Sequence, residues 1–149
     1  LKEVEEINQN AMISIVEKAK RLLKPNLKNK TIGILGLSFK PNTDDMRDAP
    51  SITIIEELKK LGAVIKAYDP IAMENAKKIL HDISFNNDPY SAAKNCDLLI
   101  ILTEWNEFKE LDLSKIKSVM KQPILLDGRN IYDKEKVEGL GFIYQGVGR

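Results

Sequence analysis

The chain has 149 residues, 43% of them apolar and 30% charged, with 23 Lys plus Arg against 22 Asp plus Glu for a formal charge of +1. The length suits one compact domain, and the mix is that of an ordinary globular chain, neither disordered nor fibrous. So even a balance excludes a general electrostatic pull toward nucleic acid or anionic lipid, and leaves any bound anion to a few placed cations.

The opening decapeptide LKEVEEINQN has neither the basic nor the apolar stretch of a signal peptide. Val4, Ile7, Ala11, Ile15, Ala19 and Leu22 recur at three or four residues and predict a helix over 1–23, acidic at its start and basic at its end. Pro25 stops it. A chain that starts inside such a helix reads as a piece of a longer protein. From residue 31 the pattern alternates between strand and helix. Thr31 to Gly36 is a buried-strand run, and Leu37 to Ala49 is polar. Pro50-Ser51 opens a helix with Asp48 or Ala49 at its cap and Ile52, Ile55, Leu58 and Leu61 as its apolar face, ended by Gly62. A strand over 63–68 follows, then a helix over 71–80 and a weak strand over 83–85. A short helix over 90–94 leads to Asp97 to Leu102, apolar enough for a centre strand covered on both faces. Its five aliphatic residues are too few to cross a bilayer. Helices over 104–108 and 113–120, a strand over 123–127, a helix over 134–140 and a strand over 142–144 complete the chain. This alternation predicts an α/β fold: a Rossmann-like open, mostly parallel sheet with helices on both faces.

Ligands of such sheets bind outside the carboxyl ends of the strands, near the switch in strand order. The loop after Gly36 is longer than the ~2–6 residues of an ordinary βα connection. It carries Lys40 and Arg47 beside Asp44, Asp45 and Asp48. Two readings stay open there, a solvated loop with internal ion pairs and a clamp for a polyanion. Gly33 to Ser38 does not spell a G-x-G-x-x-G fingerprint, so a phosphate-cradling turn running straight into a helix is not supported. Asp69 could meet a ribose hydroxyl, but before Pro70 it reads better as a cap. Thr103 is a good helix cap, and Trp105 and Phe108 read as packing residues. Arg129, after Asp127-Gly128, projects from the same edge, either toward a phosphate or into a pair with Asp127 or Asp133. The lone Cys96 falls at the opposite edge and reads as a buried, inert thiol. With a single His, His81, it builds neither a disulfide nor a four-ligand zinc site, and a reducing cytoplasmic compartment is expected.

The string Gly36 to Ser51, with Tyr68-Asp69-Pro70, Thr103-Glu104-Trp105 and Phe108, Asp127-Gly128-Arg129-Asn130 and the closing Gly146-Val147-Gly148-Arg149, resembles the C-terminal domain of the nucleotide-sugar dehydrogenases. The resemblance covers essentially the whole chain, and its first-loop part is highly specific. It implies residues 1–28 as the end of a central dimerisation helix and its linker, and 29–149 as a UDP-sugar-binding domain. Those enzymes oxidise the sugar C6 alcohol to a carboxylate, reducing two NAD and passing through a thiohemiacetal on a cysteine. By resemblance Phe39 and Lys40 lie against the substrate, Arg129 contacts its nucleotide and Arg47 reaches NAD. The three cations are then expected to meet at a common rim where a diphosphate lodges. The family's cysteine segment and NAD fingerprint have no counterpart here, so the resemblance implies a substrate-holding part with no catalytic residue of its own. The loop wording favours UDP-glucose over UDP-N-acetyl sugars or GDP-mannose, within a homodimer or higher homo-oligomer. A free-standing nucleotide- or CoA-binding module and an assembly domain are the competing readings.

Overall fold

The computed structural model describes residues 2–148, with side chains from Asn10 onward. A long helix, α1 (Lys2–Leu22), precedes β1 (Thr31–Leu35), α2 (Pro50–Lys60), β2 (Val64–Tyr68), α3 (Met73–Lys77), β3 (Ser84–Phe85), α4 (Pro89–Ala93), β4 (Leu98–Ile101), α5 (Asn106–Lys109), α6 (Leu113–Val119), β5 (Ile124–Asp127), α7 (Lys134–Gly139) and β6 (Ile143–Gly146). The six strands make one sheet in the order β3-β2-β1-β4-β5-β6. Every pairing is parallel, where the sequence predicts a mostly parallel sheet. The chain leaves β1 toward one edge and returns to its other side at β4. The switch in strand order, and the crevice it opens, therefore lie between β1 and β4.

Alternation along the strands divides the core. Ile32, Ile34, Leu98, Ile100 and Leu126 face one side, against Ile15 and Ala19 of α1 and Ile54, Ile55 and Leu58 of α2. Leu35, Leu99, Ile101 and Leu125 face the other, against Ala92 and Ala93 of α4, Phe108 of α5 and Ile116 of α6. A centre strand buried on both faces must be apolar at every position, which is why β4 reads LLII. Gly33 belongs to the packing as well. A Cβ there would lie 2.9 Å from the Ala92 carbonyl oxygen and 3.1 Å from Cys96 Sγ, so glycine lets α4 sit close on the sheet.

Several elements depart from the pattern-based reading. On α1 the buried residues are Ile15 and Ala19, with Leu23 just beyond its end, whereas Ala11 is exposed; Val4 and Ile7 lie outside the described side chains. On α2 the buried face is Ser51, Ile54, Ile55 and Leu58; Leu61 lies past the helix and is exposed. The expected ten-residue helix after Pro70 is the five residues of α3: residues 71–72 form a turn on the Asp69 carboxylate, and residues 78–80 lie past the helix end. Thr103 caps no helix: Trp105 holds the cap position of α5, and the Thr103 hydroxyl is engaged elsewhere. Among the described residues no helix is long and apolar enough to cross a membrane.

Candidate functional site

The carboxyl edge of the sheet is built on three loops, after β1, β4 and β5. The β1 loop is anchored from below by Asp69. Its Oδ2 accepts from the Leu37 and Ser38 amides at 2.8 and 3.1 Å, and its Oδ1 from the Ile71 and Ala72 amides at 2.9 and 2.8 Å. One fully buried carboxylate thus closes both the β1 and the β2 turn. Asp69 is a cap of the second turn, as the sequence suggests, and equally the anchor of the first, which the sequence did not reveal. Ser51 Oγ donates to the Leu37 carbonyl at 2.6 Å and ties the start of α2 to the same point.

Phe39 is half-buried against the core, with Lys40 Nζ 5.9 Å from its ring centroid. That arrangement leaves an exposed ammonium on a firm aromatic base. Farther along, the loop braces itself. The Arg47 guanidinium grips the Asp45 carboxylate in two bonds of 3.0 Å, and the Arg47 amide donates to the same group at 2.9 Å. Those hydrogen bonds, led by the side-chain pair, hold the Asp45 carboxyl down at about 2. The internal ion pair weighed from the sequence is therefore present. Arg47 stays 89% exposed and lines a concavity of about 550 Å³ with Thr43, Met46, Asn75, Lys78 and Ile79. Neither Lys40 nor Arg129 lines that concavity.

The β4 loop closes on the β1 loop. Thr103 Oγ1 donates to the Ser38 carbonyl at 2.8 Å, and the next residue, Glu104, pairs with Arg129 of the β5 loop. Arg129 does not pair with Asp127 or Asp133 through its side chain. Asp127 is fully buried and occupied by the Arg129 amide, the Tyr132 amide and the Tyr144 hydroxyl, the last at 2.8 Å. The β5 loop is pinned a second time by Asn130, whose side chain exchanges two bonds with the Val147 backbone at 2.8 and 2.9 Å. Lys40 and Arg129 thus stand on loops linked through Ser38, Thr103 and Glu104; Arg149 lies outside the described residues. Glu104 is the functional candidate the sequence reading missed. Its signal lies in the strand order, since β4 beside β5 brings the residue after Thr103 next to the residue after Gly128. Trp105 sits in the core, and its indole Nε1 is buried with no acceptor among the described residues.

Cys96 lies at the opposite edge, fully buried, with Sγ 3.1 Å from the Ala92 carbonyl. Burial pushes its thiol up to about 12. In the folded chain Cys96 is expected to resist alkylation at pH 8 and to react once the chain is unfolded in guanidinium. Rapid labelling of the native chain would contradict the burial.

An open parallel sheet in this strand order, with cation-bearing loops at its carboxyl edge, defines a nucleotide-binding domain of the doubly wound α/β class. The chain belongs to the UDP-glucose/GDP-mannose dehydrogenase family, whose UDP binding domain matches residues 33–134. It is 45% identical over 143 residues to a UDP-glucose 6-dehydrogenase of Rhizobium meliloti (96% of this chain, 33% of that protein). It is 43% identical over 145 residues to the Bacillus subtilis UDP-glucose 6-dehydrogenase TuaD (97% of this chain, 31% of that protein). Among solved structures it is similar to a UDP-glucose dehydrogenase from Pyrobaculum islandicum, with 29% identity and a TM-score of 0.81 over 97% of this chain and 31% of that one. The chain spans about a third of the length of these relatives.

Proposed function

We propose that the chain is the substrate-holding part of an NAD-dependent UDP-glucose 6-dehydrogenase, binding UDP-glucose at the rim between the β1 and β5 loops. Lys40 and Arg129 supply the two cations for the diphosphate, Lys40 as a point charge and Arg129 through its planar fork. Phe39 gives the sugar-nucleotide an aromatic wall. Residues 1–28 belong on this reading to the end of a central helix and its linker, and 29–149 to the binding domain. The whole enzyme would be a cytoplasmic homodimer or higher homo-oligomer. The observation that carries the proposal is the link from Lys40 to Arg129 through Ser38, Thr103 and Glu104.

NAD does not fit the residues of this chain in the manner of a dinucleotide fold. The acid that would meet a ribose, Asp69, is buried and fully engaged with backbone amides. The β1 turn opens into a long loop, not directly into a helix. The coenzyme would therefore be held mainly by a part of the protein outside this chain, with Arg47 offering it an exposed contact. No described side chain here is placed for the oxidation itself.

Calorimetric titration of the chain with UDP and UDP-glucose tests the site. Lys40→Ala and Arg129→Ala should each cost about 1–3 kcal/mol, the value of a charge-assisted bond. Unchanged affinity in both variants would remove the assignment.

A further inference from the structure

We propose that Glu104 is a positioning residue for Arg129, holding its guanidinium side-on so that the outer face stays presented to an anionic ligand. The inference rests on the reading of Arg129 as a nucleotide contact. One carboxylate oxygen, Glu104 Oε2, accepts from Nε of Arg129 and is ion-paired with its Nη2. Those two N–H groups lie along one side of the guanidinium plane. The donors on Nη1 and the outer Nη2 position take no partner among the described residues, which leaves a fork of the kind that grips a phosphate.

Both ends of the pair are fixed at the backbone. Arg129 follows Gly128 and is held by its own amide on Asp127 and by the neighbouring Asn130 bonds to Val147. Glu104 follows Thr103, whose hydroxyl is on Ser38, two residues before Lys40. The remaining freedom is in the long Arg129 side chain, which is 41% exposed while Glu104 is 30% exposed. An arginine left free in water must be ordered when ligand arrives, and a pre-set one has already met that cost. A carboxylate beside an anion site also repels the ligand. At a half-exposed rim that repulsion is screened, whereas the geometric constraint is not. Positioning is therefore the effect expected to win.

The test uses the 149-residue chain and UDP as the probe. Glu104→Ala should weaken UDP binding about tenfold, a usual coupling for neighbours in contact. Glu104→Gln keeps a carbonyl oxygen in the same place and should restore most of that loss. In an Arg129→Ala background, Glu104→Ala should add nothing. In the ligand-free chain the Arg129 Nε–H proton should be resolved and slow to exchange in wild type and Glu104→Gln, and lost in Glu104→Ala. If Arg129→Ala weakens UDP binding while Glu104→Ala leaves it unchanged or tightens it, positioning is overturned and the site stands. If Arg129→Ala has no effect, or the wild-type chain binds no UDP, the site reading fails and this inference fails with it.

Discussion

Replacing Asp69 with Ala is expected to destabilise the chain by about 3–5 kcal/mol, because it strands three buried amides and a fourth, partly buried one at once. The Leu37, Ser38, Ile71 and Ala72 N–H groups all end on this carboxylate; three of these bonds are buried away from water, and the Ile71 bond is partly buried. Each charge-assisted bond is worth on the order of 1.5–3 kcal/mol, with partial relaxation of the two turns keeping the total below the sum. Asp69→Asn keeps the shape but points an NH2 group at two of the four donors, so it should fare little better. Urea unfolding followed by circular dichroism measures the loss. The damage should also reach binding, since Leu37 and Ser38 set the path of Phe39 and Lys40. A variant within 1 kcal/mol of wild type would mean that the two turns hold without their shared anchor.

The contrast between Asp69 and the strands indicates what a sequence of this kind exposes. A strand covered on both faces can be written only in aliphatic residues, so Leu98 to Leu102 declares itself, and Gly36 and Pro50 punctuate the elements around it. The long β1 loop was legible for the same reason, as a polar stretch too extended for an ordinary crossover. Helix ends were less legible. Residues 71–72 turn on the Asp69 carboxylate and residues 78–80 fall beyond α3, and neither limit is visible without the turn geometry. Side-chain partners across strands were least legible. The Arg47–Asp45 pair is local and could be weighed from spacing, whereas Arg129 and Glu104 are 25 residues apart and meet only because β4 lies beside β5. Asp127, the nearer acid, was the natural partner on paper, but it is consumed by Tyr132 and Tyr144 below the rim.

Gly36 shows how sequence and site meet at a single backbone position, and Gly36→Ala is expected to cost about 3–5 kcal/mol from strain and overpacking together. The residue has φ +98, a region that favours glycine, and its amide donates to the Tyr68 carbonyl at 2.9 Å. A Cβ would fall 2.5 Å from Thr103 Oγ1, 2.6 Å from Thr103 Cβ and 2.7 Å from the Thr103 amide nitrogen. The last contact is to backbone, so trimming Thr103 to Gly in the same chain should recover only part of the loss. The variant must either break the φ or push the β4 loop off the β1 loop. The second course severs the Thr103–Ser38 bond and carries Glu104 away from its seat beside Arg129. Thermal melts should therefore fall together with UDP affinity, and the affinity loss should exceed that of Thr103→Ala, which removes the hydroxyl without displacing the loop. Equal stability in Gly36→Ala and wild type would mean that the two loops part freely. The side-chain-free position would then be incidental to the rim it adjoins. In the geometry found here its smallness has a different use from the phosphate cradle of a dinucleotide turn: it brings two loops of the protein, and with them opposite sides of one binding edge, within contact of each other.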